Sequence, residues 1–375
     1  MNGKNSLSKV FWAITAVAFV IGLYGLYDRF ANGHMHTAYG SYVPWGLWIA
    51  AYTMLVGVSA GAFAASAVAI TTRKEKWERF AKFGLLVALG AFAGGMLNVL
   101  LDLGHPERLL RLYFANNPFS MMGLMAWFYL LYGLLLVFMI WRIWSQGVDD
   151  LMVKLGYLAV PFAVLFAGAE GALFGVVGAR PLWESGLTPI LFLLEGAIGG
   201  LAAATLANWI AGALEDDQYQ RLGRILLGLL AVLVIFEWAE YSTGLYAGIP
   251  AKAETLRNIL FGPYWWVFWL VHLAAGVVLP ILLLAFQPKN QGMITLSAAL
   301  VLFTAITTKL NLVIPALAQP EIEGLENAYH GPGLSFTYFP TMSEWMLFIW
   351  TVSLAALIFL AGYQFLPQML KKEVK

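Results

Sequence analysis

Ten stretches of this chain are apolar enough and long enough to cross a bilayer, with mostly short polar segments between them. A spanning helix needs about 20 mostly apolar residues at 1.5 Å each. The pattern predicts an all-α, polytopic membrane protein with helices over 10–27, 44–70, 81–103, 119–143, 154–178, 188–212, 224–247, 262–286, 292–312 and 341–366. No soluble domain of useful size fits beside ten such helices in 375 residues. The segments that should face outward, 28–43, 104–118, 179–187, 248–261 and above all 313–340, are longer and richer in Gly, Pro and aromatic residues, so chemistry or docking is expected there.

Composition agrees with this pattern. The chain is 61% hydrophobic and 11% charged, where soluble domains carry roughly 25% charged residues. The basic residues set the orientation, because cytoplasmic segments hold the excess of Lys and Arg. With the N-terminus inside, 15 of the 22 fall on the inner side. The outer side keeps Arg29, Arg108, Arg111, Arg180, Lys252, Arg257 and Lys309, and both termini are expected to be cytoplasmic. The first apolar run follows only Lys4 and Lys9 and lacks a small-residue cleavage site, so it reads as a retained helix. A net charge of +1 argues against nucleic acid as a partner. With no cysteine, the chain cannot ligate an iron–sulphur cluster through thiolates or attach haem covalently. Of five histidines only His272 falls mid-membrane, so neither intrinsic haem nor an intrinsic cluster is expected.

Helices two and six share a local pattern. Gly57-Val-Ser-Ala-Gly61 through Ser66 matches Gly196-Ala-Ile-Gly-Gly200 through Thr205 at an offset of 139 residues, and the same offset takes Asp102 to Tyr241, next to Glu240. Small residues four apart let helices approach closely. Two explanations stand: a common packing motif, or two four-helix units, helices two to five and six to nine, flanked by helices one and ten. The second divides the chain into 1–43, 44–178, 188–312 and 313–375.

An ionisable side chain inside a bilayer costs about 2.5–3.5 kcal/mol on insertion scales and is a functional candidate by default. Asp102, Glu170, Glu195, Glu237, Glu240, His272 and Lys309 qualify, most of them in the outer half. They suit a proton route or a ligand site; alternatively some pair off to fix helix packing, as Lys309 would with a carboxylate. The segment Leu101-Asp-Leu-Gly-His-Pro-Glu-Arg108 ends helix three at the outer surface. His105 precedes Pro106 and is held away from helical geometry, leaving free carbonyls beside Asp102 and His105. Such a pair can exchange protons with a bound quinol; alternatively the segment is an interfacial helix stop. At the start of helix two, Trp45, Trp48 and Tyr52 recur at three and four residues, which suits either a membrane-interface belt or a flat slot for a quinone ring. Arg180, in Ala179-Arg-Pro-Leu-Trp183, reads as a snorkelling cation or as a partner for Glu170 or a quinone oxygen.

These motifs together carry a resemblance. The run Pro44-Trp-Gly-Leu-Trp48 through Gly57 and Gly61, the Leu101–Arg108 segment, Asn117-Pro-Phe-Ser-Met-Met122, Gly178-Ala-Arg-Pro-Leu-Trp183, and Asn311-Leu-Val-Ile-Pro315 with Tyr338, Pro340 and Glu344 resemble the NrfD/PsrC family of quinone-interacting membrane subunits, nearest its ten-helix HybB, HmcC and DsrP branch. The resemblance covers nearly the whole chain. It implies a subunit of the prokaryotic inner membrane that exchanges electrons between menaquinone or ubiquinone and a ferredoxin-like iron–sulphur subunit on the outer face, in complexes built with hydrogenase, molybdoenzyme or multihaem cytochrome subunits. Shorter members place a His and an Asn on helix two near the quinone. This chain has Trp48 and Tyr52 in that region, so Asp102 and His105 are expected to act as the proton-exchanging pair, with Trp45, Trp48, Tyr52, Arg108, Glu170 and Arg180 around the quinone. A competing function is proton or ion translocation through a relay of Glu195, Glu237, Glu240 and His272. A third is a purely structural anchor, which has no need of so many buried acids.

Orientation is directly testable. Reporter fusions after residues 75 and 330 should report opposite sides of the membrane; the same side for both refutes the topology.

Overall fold

The computed structural model describes residues 2–115, 117, 119–322 and 324–370, with the side chains of 2–7 and 368–370 excepted. Pro118 of the Asn117–Met122 motif, the side chain of Lys4, and Lys371, Lys372 and Lys375 from the charge count lie outside the described residues. The described chain is helical without strands, and ten of its helices are long and apolar enough to span a membrane. In chain order these are α1 (Asn2–Asn32), α2 (Leu47–Thr71), α3 (Glu75–Asp102), α4 (Met121–Gln146), α5 (Asp150–Gly175), α6 (Thr188–Ala211), α7 (Asp216–Tyr246), α8 (Val267–Phe286), α9 (Gln291–Ala318) and α10 (Met342–Leu370). The chain is therefore a multi-pass integral membrane protein.

Several helices outrun their apolar cores because polar residues at their ends cap them. Ser120 Oγ accepts from Gly123 N at 3.1 Å, Asp149 Oδ1 from Met152 N at 2.8 Å, and Glu215 with Gln218 forms a capping box for α7. Each satisfies backbone donors that a helix start leaves free. The outer segment 248–261, expected as a loop, instead contains a surface helix, Pro250–Phe261. Pro250 suits its first turn, and Ala253, Leu256, Ile259 and Leu260 form its buried face. Hydropathy does not detect it because the rest of the helix is polar. The first half of α8, Val267–Val278, is wound as a π-helix. Pro280 has no N–H to return to Gly276, so the regular ladder is already interrupted where the wide turns end.

Helix α2 is the hub: 83% of its most apolar window is buried inside the protein, against 11% for α1. It touches α3, α5, α6, α9 and α10. Its contact with α6 is backbone on backbone. A Cβ placed on Gly61 would lie 1.9 Å from Gly196 O, and one on Gly200 would lie 2.2 Å from Ala62 N. The two glycine pairs related by the 139-residue offset thus face each other. Contacts α2·α3, α2·α5, α3·α4 and α4·α5 have counterparts in α6·α7, α6·α9, α7·α8 and α8·α9, while α5·α6 across the seam has its counterpart in α9·α2. Helices α1 and α10 pack on each other, and α10 packs against α3.

A side chain in that seam has no free volume to enter. Gly61→Leu should destabilise the folded subunit on the order of 3 kcal/mol or more by overpacking, read as a lowered thermal midpoint and folded yield in detergent. Gly104→Ala, where nothing lies within 4 Å, should leave both unchanged.

Candidate functional site

The outer end of α3 is built by a helix stop. Leu103 turns extended, His105 sits at φ −129°, ψ 72°, and a single 3-10 turn follows over Pro106–Arg108. The broken end leaves carbonyls free, and Arg29 of α1 takes them: Nε donates to Leu101 O at 2.5 Å and an Nη to Leu103 O at 2.7 Å. Beside them Asp102 Oδ1 is buried with no hydrogen-bond partner, as are the Tyr39 hydroxyl and His34 Nε2. The Tyr39 ring lies 5.6 Å from His34 and 5.8 Å from Trp48. Burial, then the charges of Asp102 and Glu344, push the Tyr39 phenol well above its ordinary range, so it stays protonated. Burial and the Arg29 charge hold the His34 imidazole below its usual value, and at neutral pH it is uncharged.

Glu344, at the start of α10, ties two loops together beside these groups. Its Oε2 accepts from Ala38 N at 3.0 Å and Thr341 N at 2.9 Å, and its Oε1 accepts from the Tyr338 hydroxyl at 2.5 Å. Tyr338 in turn accepts from Leu47 N at 2.7 Å, the first residue of α2. Trp48 Nε1 donates to Glu344 O at 3.1 Å. The carboxylate is fully buried yet fully used, which is what permits it there.

Deeper along α2, the Tyr52 and Tyr129 hydroxyls are hydrogen-bonded to each other. The Tyr132 ring stacks on Phe166 at 4.1 Å, and its hydroxyl reaches Ser59 Oγ at 2.7 Å. On α5, Glu170 is fully buried with neither carboxyl oxygen bonded.

The second half of the protein holds its acids differently. Lys309 Nζ lies 2.6 Å from Glu195 Oε2, His272 Nε2 lies 2.9 Å from Glu237 Oε1, and Lys252 Nζ lies 2.6 Å from Glu240 Oε1, whose other oxygen accepts from Ser185 Oγ at 2.7 Å. Two cavities of about 40 and 70 Å³ share Glu195, His272 and Thr308 as walls; the larger also has Glu237, Glu240, Tyr241 and Asn311. A water needs roughly 10–15 Å³ of such space, so each can hold water among polar partners. Buried Lys309 has its carboxylate, as one sequence alternative expected.

The residues expected around one quinone ring fall into separate groups. His105 is exposed, with Nδ1 2.9 Å from Glu107 Oε1, and Arg108 is an exposed neighbour of the same carboxylate at 3.7 Å. Neither makes a hydrogen bond or ion pair with Asp102 among the described residues. Arg180 is committed elsewhere: its guanidinium donates to Ala316 O and Gln319 O at 3.1 and 3.0 Å and pairs with Glu321 at 2.7 Å, clamping the end of α9. Trp45 precedes the first residue of α2 and escapes its helical spacing. It stacks on Trp183 at 5.7 Å, whereas Trp48 faces His34 and Tyr39, and Tyr52 faces Tyr129. Sequence reasoning did not find Tyr39, His34 and Arg29 as neighbours of Asp102, nor Tyr129. The first three come from the outer end of α1 and the loop after it, and Tyr129 lies in an aromatic-rich helix where it has no distinguishing spacing.

Ten apolar helices enclosing carboxylates define a polytopic membrane subunit. Residues 36–321 match the family model described as "Polysulphide reductase, NrfD", and the chain belongs to the NrfD family. It is 30% identical to a selenate reductase subunit of Mesobacillus selenatarsenatis, over 98% of this chain and 96% of the relative. It is 27% identical to the Hdr-like menaquinol oxidoreductase integral membrane subunit of Archaeoglobus fulgidus, covering 96% and 93%. It is 25% identical to the menaquinone reductase integral membrane subunit of Nitratidesulfovibrio vulgaris, covering 96% and 92%.

Tyr338→Phe deletes one oxygen that both accepts from Leu47 N and donates to Glu344. Leaving a buried donor or acceptor unpaired costs about 1–3 kcal/mol each. The variant should unfold at a clearly lower temperature in detergent, and an unchanged midpoint contradicts the closing role assigned to Glu344.

Proposed function

We propose that this chain is the quinone-interacting subunit of a respiratory redox complex. It exchanges electrons between membrane menaquinone or ubiquinone and a ferredoxin-like iron–sulphur subunit docked on its outer face, in the inner membrane of a prokaryote, with both termini cytoplasmic. Two relatives of nearly full-length coverage carry menaquinol or menaquinone in their names, which supports the quinone reading. The observation that carries it is a pair of buried atoms without a hydrogen-bond partner at the outer end of α3, Asp102 Oδ1 and His34 Nε2, beside the protonated Tyr39 hydroxyl. Oxidising a quinol releases two electrons and two protons, and groups without fixed partners are free to take the protons. Asp102 is the acceptor, walled by Trp48 and Tyr39. Tyr52, Tyr129 and Glu170 form a second protonatable group deeper along α2. His105 and Arg108 lie on the outer surface, where released protons meet water and a partner subunit docks. The chain itself carries neither haem nor cluster in this scheme.

The offset-related glycines and the matching helix contacts support two units, 44–178 and 188–312, the first holding the quinone site. A second function is favoured by the two polar cavities: Glu195, Glu237, Glu240 and His272 line water-sized space and form a proton relay in the second unit.

General acid–base groups contribute about 10²–10⁴-fold to rate. Asp102→Asn should therefore lower quinol turnover of the assembled complex at least 10²-fold while leaving assembly intact. Wild-type turnover across pH in an assembled variant removes Asp102 from the mechanism.

A further inference from the structure

Lys309 stands in the outer half of α9, 4% exposed, with more to do than its single ion pair shows. Its Nζ is 2.6 Å from Glu195 Oε2, but it makes no well-directed hydrogen bond. The ammonium also lies 3.2 Å above the Phe192 ring. At the root of the same side chain α5 and α6 touch at Gly171, where a Cβ would come within 2.9 Å of Phe192 Cβ. The residue before Gly171 is Glu170, with its two unbonded oxygens. The 139-residue offset that aligns the seam glycines also aligns Glu170 with Lys309, so an acid in one half occupies the position of a base in the other.

We propose that Lys309 is shared by two buried carboxylates, Glu195 and Glu170, and that only the one it pairs with is ionised. In one state Lys309 pairs with ionised Glu195 while Glu170 holds a proton. In the other, Glu170 has lost its proton and drawn the ammonium across, and Glu195, unpaired beside the polar cavities, has taken one up. One proton leaves as one arrives, and the net charge of the trio is constant. A lone carboxylate in this medium neutralises itself rather than stay charged, and a lysine carries a compact charge on a flexible stem. Lys309 is thus a positioning residue that ties the tyrosine–Glu170 group of the first half to the relay of the second. The proposal rests on the quinone reading only for what changes the protonation of Glu170.

The other ionisable groups around the trio are Tyr52 of α2 and Tyr129 of α4 beside Glu170, and Glu237 of α7, Tyr241 of α7 and His272 of α8 near Glu195. From the surface helix, Lys252 is occupied by Glu240.

The test uses the purified full-length chain in nanodiscs and needs no quinone. Infrared spectra follow the carbonyl stretch of protonated carboxyls through a pH titration, with Glu170→Gln and Glu195→Gln assigning the bands. Glu195→Gln frees the ammonium for Glu170, so the Glu170 band should vanish at a pH lower by on the order of one unit or more. That shift should disappear in a Lys309→Met background and persist with Lys309→Arg. Should Lys309→Met fold poorly, Lys309→Met with Glu195→Leu replaces the pair by apolar groups that such sites tolerate; there the Glu170 band should persist to higher pH than in Glu195→Gln. A Glu170 band unmoved by Glu195→Gln, or moved equally without Lys309, overturns the proposal. Coupling seen in a complex that does not turn over quinol would instead count against the quinone reading alone.

Discussion

The backbone contact between α2 and α6 sets the spacing on which the other helices depend. In a lipid bilayer the hydrophobic effect does not drive helix against helix, so close packing and buried polar contacts hold the bundle together. Four glycines, Gly57, Gly61, Gly196 and Gly200, let two backbones meet along the centre of the molecule. From that seam α2 reaches α3 and α5 on one side and α9 on the other. The relative placement of Glu170 and Lys309 follows from the same seam, since α5 and α9 each pack on both seam helices.

Around it the protein keeps its charges in two different ways. Glu344, Glu237 and Glu240 are tied to donors or cations, as a buried carboxylate must be if it is to stay ionised. Asp102 Oδ1 and both carboxyl oxygens of Glu170 have no such partner. An acid that is buried and unbonded is poorly suited to holding helices together and well suited to gaining and losing a proton. The closing of the outer loops by Glu344, Tyr338 and Trp48 lets an unbonded Asp102 persist, because those groups hold the loops without drawing on it.

Some of the site was legible along the chain. The seven ionisable residues of the apolar stretches stand out, and α3 ends at Asp102, just ahead of the His105–Pro106 pair that the proline rule holds out of helical geometry. Spacing misled where it was applied beyond the helix: Trp45 lies before Leu47, and its ring turns to Trp183 rather than continuing the face of Trp48 and Tyr52. Arg180 was legible as a cation that snorkels or meets an acid, but its acceptors, two carbonyls of a helix end 136 and 139 residues away, carry no side-chain signal. The surface helix Pro250–Phe261 was invisible to hydropathy because only one of its faces is apolar.

What the sequence by itself determined is the solvent. Ten apolar stretches of sufficient length can only be satisfied as helices in lipid, because each helix closes its own backbone hydrogen bonds. It also determined which residues are too polar for that solvent and so demand an explanation. Only the tertiary structure decided which of them are answered. Whether a carboxylate far along the chain from the nearest lysine meets it, meets a backbone amide or meets nothing depends on how α5, α6 and α9 cross, and no local pattern encodes a crossing. Pairing became legible only when the helices were placed, and with it the division between acids that hold the fold and acids left free to act.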